Sequence, residues 1–573
     1  MKTSTLLLLL ICYSSSLISQ NLAIKNATII PMDQEQVLEN QTLIITDGII
    51  TKIGNSDDVV ISSDIKIIEA KGRFLMPGIA DMHVHLRNED ELVNYLAYGV
   101  TTVMHLGGSS NQGKENLRYN NEIDKGTLIG PNIYTTKRIL DGDPPASGGA
   151  YRIKTPERAI ELVNNLKNEG YDFIKIYNNI PLTAFNAIVK ESERVGLPLL
   201  GHLPRKYDAL HAINNGQDMI VHTEELFFTY FKGPRSTSTY DKEFQLDVSL
   251  IPDLITSIKK NNVAIIPNLS FAFTDFIMWD DVDVLFADSE IKYVAPNLIR
   301  NEFISGNINR RSNIENFIHR DQQKYELSLD LTYKFQKAGI LQLLGTDATQ
   351  AGLFPGKSVH RELTELVKAG LTNYEVLSIA TKNAGQFAEA HNLRDSNFGQ
   401  IKLGFIADMI LLEKNPLDDI RNTKRIDGVI TNGKWISMEE IDGLRSKIAA
   451  KYAALKNIEL LLKESLLDNT TEAKMKQLIT DNHDNEALLT SIESNINSLG
   501  YNYVSNNELV KAIAIFKLNT KYFENSGNVW DSYAEAHLLN NDRVNAIKYY
   551  TKALEVNPEL SSAKEQLKKL KKE

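Results

Sequence analysis

Between residues 79 and 347 the chain alternates eight short apolar runs with helical stretches, and that alternation limits the fold more than any other feature. The runs are IADMHVHL, VTTVMHL, NIYTTKR, YDFIKIY, LPLLGH, DMIVH, VAIIPN and LQLLGTD. Segments such as PERAIELVNNLKNEG and TAFNAIVKESERVG separate them and carry apolar residues at helical spacing. Strands that alternate with helices pair in parallel, with the helices packed outside the sheet. Eight such units predict an α/β fold, a (β/α)8 TIM barrel over residues 76–396. A doubly wound open sheet is the alternative.

At 573 residues the chain exceeds one core, and its flanks read differently. Residues 21–75 alternate apolar and polar positions, with Asp47-Gly48 offering a tight turn, and residues 397–440 repeat that texture. Both ends are expected to build one small β-sandwich. A helical linker is expected over 441–492 and all-α structure over 493–573. There, Leu499, Gly500, Tyr503, Ala512 and Phe516 recur 34 residues later as Tyr533, Ala534, His537, Ala546 and Tyr550, followed by Ala553 and Pro558. This resembles the tetratricopeptide repeat, which implies paired helices and a possible protein partner.

The N-terminus has the order of a secretory signal over residues 1–20: Lys2, an apolar run from Leu6 to Ile11, then a serine-rich stretch to Gln20. That run is too short for a mature transmembrane helix. Cys12 is the single cysteine, so cleavage near residue 20 excludes disulfides and thiolate ligands from the mature chain. Bulky Leu10 and Ile11 argue against lipid anchoring at Cys12. The expectation is an exported protein, periplasmic or secreted. A net charge of -10 without a basic stripe argues against nucleic acid as a partner.

Chemistry-bearing residues gather at the ends of the predicted strands. His83 and His85 are two apart on the first, so both face the same way and can reach one ion. Lys175 lies near the end of the fourth, where a buried ammonium is costly unless paired or altered. Its neutral amine would react with carbon dioxide to give a carbamate able to bridge two cations; the alternative is a lysine that extends to water. His202 and His222 end the fifth and sixth strands. Asp347 closes the eighth and suits metal binding and proton transfer, with a turn-capping role as the alternative. His105, Tyr177 and His360 are candidate substrate contacts.

His-x-His on strand one, lysine on strand four, histidines on strands five and six and aspartate on strand eight together resemble the amidohydrolase superfamily. TTV at Thr101 and Thr102, GTDA at Thr346, HRELTELVKAGLT and IADMILLEKNPLDDI resemble its imidazolonepropionase-like and prolidase-like branch. The resemblance covers most of residues 22–440. It implies two divalent ions, zinc foremost: His83 and His85 would hold one, His202 and His222 the other, carbamylated Lys175 would bridge both, and Asp347 would bind the first. It further implies hydrolysis of an amide bond in a dipeptide, N-acyl amino acid or cyclic amide by a metal-bridging hydroxide, with Asp347 as proton shuttle.

One departure is Met104-His105, where that branch usually carries an arginine and an acid. A lactonase or phosphotriesterase would use the same ligands, and a non-catalytic interaction protein acting through its repeats is a further alternative. A mononuclear deaminase would not need Lys175. Substrate choice is expected from the loops. Asn268–His319 contains FAFTDFIMWDD and suits a lid, and Glu224–Tyr240 contains FFTYF. Arg205, Arg235, Arg300 and Arg311 are equal candidates to meet a substrate carboxylate.

Overall fold

The computed structural model describes residues 21–108, 112–147, 149–231, 246–277, 287–299, 314–350, 352–464, 475–477, 479–480, 483 and 486–571. The expected signal segment, Arg235, Arg300 and Arg311 lie outside the described residues. Two compact units emerge, one drawn from residues 1–281 and 313–443, the other from 282–312 and 444–573.

The first unit is an α/β fold built on seven parallel strands. β1 (Ile79–Val84), β2 (Val100–His105) and β3 (Asn132–Thr135) form one sheet. β4 (Ile174–Ile176), β5 (Leu199–Gly201), β6 (Met219–Val221) and β7 (Ala264–Ile266) run in order in a second, with Leu140–Asp141 paired to the β4 edge. The expected eighth strand is extended chain held by single bridges, Gln342 to Ile265 and Ala348 to Val84. Leu343 N–H donates to Ile265 O at 2.9 Å, and Leu344 O accepts from Met82 N–H at 2.8 Å, so this segment joins the two sheets. A regular ladder fails beyond it because Asp347 takes φ 65°, outside the β region.

Alternation along the strands places the site. Met82, Phe173, Leu200, Val221, Ile266 and Leu343 belong to one core cluster. The next positions on that face toward the strand ends are Lys175, His202 and Asn268. β1 reaches the same end by a different device: its register with β2 shifts between Asp81 and Val84, and such a bulge re-aims the side chains beside it.

Helices cover the outside. In Pro156–Asn168, proline begins the first turn and the Thr155 hydroxyl accepts from Arg158 N–H; Leu182–Val195 ends at Gly196 with φ 66°. Leu162, Leu166, Phe185 and Ile188 pack on the outward Ile174, Ile176 and Leu199. Each such buried side chain contributes about 1.5–3 kcal/mol.

The two flanks form one hydrogen-bonded sheet, which corrects the expected two-sheet sandwich. Phe74–Pro77 from the N-terminal flank pairs antiparallel with Met409–Leu412 from the other. A Cβ on Gly433 would stand 2.4 Å from Gly48 Cα, so the turns at opposite ends of the strand order touch. The sheet therefore curls on itself around Leu43, Ile45, Leu75, Met409 and Ile430 and needs no facing sheet.

In the second unit five helices follow one another: Glu486–Ser505, Leu509–Tyr522, Gly527–Leu539, Arg543–Val556 and Ser561–Leu570. Close approach depends on small residues, since a Cβ on Gly500 would lie 2.4 Å from the Phe516 ring. Residues 287–299 also belong to this unit, where the Arg445 guanidinium lies 3.8 Å from the Tyr293 ring centroid and pairs with Glu290. The stretch expected to be a lid is thus divided: Leu269–Ile277 is a helix of the first unit, and residues 278–286 lie outside the described residues. Among the described residues no helix is long and apolar enough to cross a membrane.

Candidate metal centre

His83, His222 and Asp347 offer ligand atoms that all lie within 4.8 Å of one another, and all three residues are buried. Nε2 of His83 and of His85 stand 3.3 and 3.0 Å from Asp347 Oδ1, and Nε2 of His222 stands 3.6 Å from Oδ2. The tightest trio therefore takes one histidine from each of the two expected pairs.

The other ring nitrogens fix the tautomers. Nδ1 of His85 donates to the Gly107 carbonyl at 2.6 Å, and Nδ1 of His83 lies 3.1 Å from Asn268 Oδ1. A neutral imidazole carries one N–H, so in the neutral form of either ring the Nε2 lone pair faces a carboxylate oxygen. Two lone pairs facing each other at hydrogen-bond distance repel; a cation between them reverses the sign. Burial holds His83 and His222 well below the usual imidazole value, which is the neutral, ligating form. Burial opposes the charged form of Asp347, and His83, His85 and Lys175 lower its carboxyl only in their protonated forms. Asp347 Oδ1 and His222 Nδ1 have no hydrogen-bond partner.

Lys175 is 1 % exposed and its Nζ has no hydrogen-bond partner. The amine does not extend to water. Burial pushes it down to about 7, because an unpaired buried ammonium costs several kcal/mol while a neutral amine costs far less. Gly201 permits this packing: a Cβ there would lie 2.2 Å from Ile176 O, and its φ is 137°.

His202 Nδ1 lies 2.9 Å from Asn178 Oδ1 and 3.1 Å from Glu225 Oε1, and its ring centroid is 5.1 Å from that of His222. Glu225, fully buried, also takes two nitrogens of Arg205 at 2.7 and 3.2 Å. Burial alone would raise its carboxyl, but His202 and Arg205 bring it down to about 2. Tyr177 stacks on His202 with centroids 4.0 Å apart.

The remaining candidates divide. His105 Nδ1 accepts from Leu86 N–H at 3.0 Å, and its ring centroid is 6.2 Å from that of His85. His360 is not brought to the cluster: its Nδ1 meets Thr423 Oγ1 at 2.9 Å and its ring packs on Tyr98. Asn178, Glu225 and Asn268 were not singled out in the sequence. Asn268 closes the seventh apolar run as His202 and His222 close theirs, and Glu225 lies three residues after His222.

Residues 326–436 match the model of the amidohydrolase family. Ochratoxinase of Aspergillus niger is 25% identical over 428 residues, covering 69% of this chain and 81% of that protein. Among solved structures, a bottromycin amidohydrolase superposes with a TM-score of 0.55 at 19% identity, covering 75% of this chain and 90% of that one. A Xaa-Pro dipeptidase with bound methionine in the active site gives 0.53 at 19%, covering 73% and 100%. At such identities these two likenesses concern the fold.

Proposed function

We propose that this chain is an amidohydrolase-superfamily hydrolase of carbon–nitrogen bonds, an exported binuclear-metal enzyme cleaving amide bonds of dipeptides, N-acyl amino acids or cyclic amides. The supporting observation is the convergence of Nε2 of His83 and of His85, whose Nδ1 atoms are engaged elsewhere, on the Asp347 carboxyl group. This donor set fits divalent cations, zinc first, with His83, His85, His202, His222 and Asp347 as ligands. Lys175 fits the bridging role as a carbamate, being a buried and unpartnered amine whose neutral form burial favours. In this reading the seven strands and the segment at 341–347 close as one barrel, and the C-terminal helices are tetratricopeptide repeats.

Bound divalent cations supply Lewis acidity to the scissile carbonyl and lower the pKa of a water toward neutrality. Asp347 accepts the proton from the attacking water and returns it to the leaving nitrogen. Gln350 Nε2 donates to Asp347 Oδ2 at 2.6 Å and orients it. Tyr177, beside His202, is placed to meet the oxygen of the tetrahedral intermediate.

Among the described residues Arg205 is the one of the four arginines that can be placed. Glu225 fixes its guanidinium from one side, Phe228 lies 4.4 Å from it, and its side chain is 32% exposed. We assign it to the substrate carboxylate.

The test combines metal analysis with a screen of dipeptides, N-acyl amino acids, lactones and phosphotriesters. About two ions per chain and turnover of amides support the reading. Fewer than about one ion per chain, or turnover of lactones alone, overturns it. Arg205→Ala should raise KM for substrates with a free carboxylate and leave amide-capped analogues unchanged.

A further inference from the structure

Asp347 carries the chemistry, yet no regular strand holds it. Its segment has isolated bridges in place of a ladder, and Asp347 itself is left-handed. Something else must fix the carboxylate against two imidazoles on another strand.

We propose that Asp81 and Glu91 are positioning residues for Asp347, a pair of buried carboxylates that grip the segment on both sides of it. Asp81 is 0% exposed and Glu91 3%. On the near side, Thr346 donates its N–H to Asp81 Oδ1 at 3.0 Å and its hydroxyl to Oδ2 at 2.6 Å. The same hydroxyl oxygen accepts from Ala348 N–H at 3.2 Å, which folds the turn around Asp347. On the far side, the Thr349 hydroxyl donates to Glu91 Oε1 at 3.0 Å, and Arg87 N–H donates to Oε2 at 2.9 Å.

Both grips belong to one arm of the chain. Asp81 lies on β1, two residues before His83, and its Oδ1 also faces His83 N–H at 3.4 Å. Glu91 lies on Asp90–Ala97, the helix that follows β1 and His85. The arm that presents the two imidazoles therefore also holds the turn that presents their carboxylate. Asp347 N–H completes this by donating to His83 O at 2.7 Å. Relative placement of the three groups is set by these contacts, and a displacement of about 1 Å at a reacting group costs about 10²-fold in rate.

The inference rests on the amide-hydrolase reading for its kinetic consequence, but its structural content is tested separately. Asp81→Leu, Asp81→Asn, Thr346→Val and Glu91→Gln are compared with the full-length wild type by hydrogen exchange, bound zinc and steady-state kinetics. Asp81→Leu should lose exchange protection over residues 344–350 while other segments keep theirs. Its kcat should fall by about 10²-fold with KM changed by less than about threefold. Asp81→Asn retains an oxygen for Thr346 N–H and should recover most of that loss. Thr346→Val, which deletes one hydroxyl, and Glu91→Gln should show smaller losses of the same kind and keep the test open if Asp81→Leu does not fold. Wild-type protection and kcat in Asp81→Asn, Thr346→Val and Glu91→Gln, with no selective change in Asp81→Leu, would overturn the proposal. A wild type that binds no zinc and cleaves no amide sinks the functional reading instead, and the exchange data still decide the grip.

Discussion

His85 Nε2 faces Asp347 Oδ1 at 3.0 Å while its Nδ1 proton is committed to the Gly107 carbonyl. The pair is stable with a cation or a proton between the two atoms and strained with neither. Chelated protein titrated with zinc in weak buffer should therefore release protons as metal enters. Asp347→Asn should release fewer, bind less zinc and lose about 10²–10⁴-fold in kcat. Zinc uptake without proton release near neutral pH would show that the imidazoles and carboxylate are arranged differently.

Lys175 gives a second prediction through its free amine. With the amine pushed down to about 7, the neutral fraction rises about tenfold between about pH 6 and about pH 8 at fixed dissolved carbon dioxide. Zinc-dependent reactivation of bicarbonate-free apoprotein should speed up by about that factor, and ¹³C-labelled bicarbonate should give one carbamate resonance that Lys175→Ala lacks. Full activity in rigorously carbon-dioxide-free protein would exclude the carbamate.

Sequence periodicity carried the parallel strands and two members of the site, because strand alternation alone sends Lys175 and His202 to one end of one face. It could not show that β1 needs a register shift to bring His83 there, nor that Asp347 sits in a left-handed turn between the bridges at Gln342 and Ala348. Both depend on cross-strand pairing, which a single chain segment does not encode. Asn178, Glu225 and Asn268 escaped for a related reason: each acts through a histidine distant in sequence, and polar residues after strands ordinarily cap turns. His360 shows the converse. Its position at the start of a helix after the eighth run suggested the rim, but the turn at 420–424 presents Thr423 to it instead.

His360→Gln should therefore leave kcat and KM unchanged and lower stability by about 1 kcal/mol, through loss of packing on Tyr98 and the bond to Thr423. A fall in kcat beyond about threefold would return His360 to the site.

Glu225 joins His202 to Arg205 and should behave as a buried ion-pair partner. Glu225→Leu leaves Arg205 without its counter-charge, at a cost of about 2–3 kcal/mol given that Arg205 is partly exposed. The same variant frees His202 to rotate, so zinc affinity should fall along with thermal stability. Unchanged zinc affinity with lowered stability would confine Glu225 to a structural role.

Glu362 predicts a pH dependence of stability. Fully buried, its carboxylate accepts from Leu269 N–H at 2.9 Å and Ser270 N–H at 2.6 Å, at the start of the helix Leu269–Ile277. Burial outweighs these bonds and pushes the carboxyl up to about 8 from an ordinary 4.5. Between those values the folded state holds a proton that the unfolded state has released, so the folded state binds more protons and stability falls as pH rises. The contribution is complete below about 4.5 and lost once pH passes about 8. Glu362→Gln has no proton to lose. Its Tm relative to wild type should climb across that window and level off above it, and a constant difference between the two proteins would mean that Glu362 is ionised in the fold throughout.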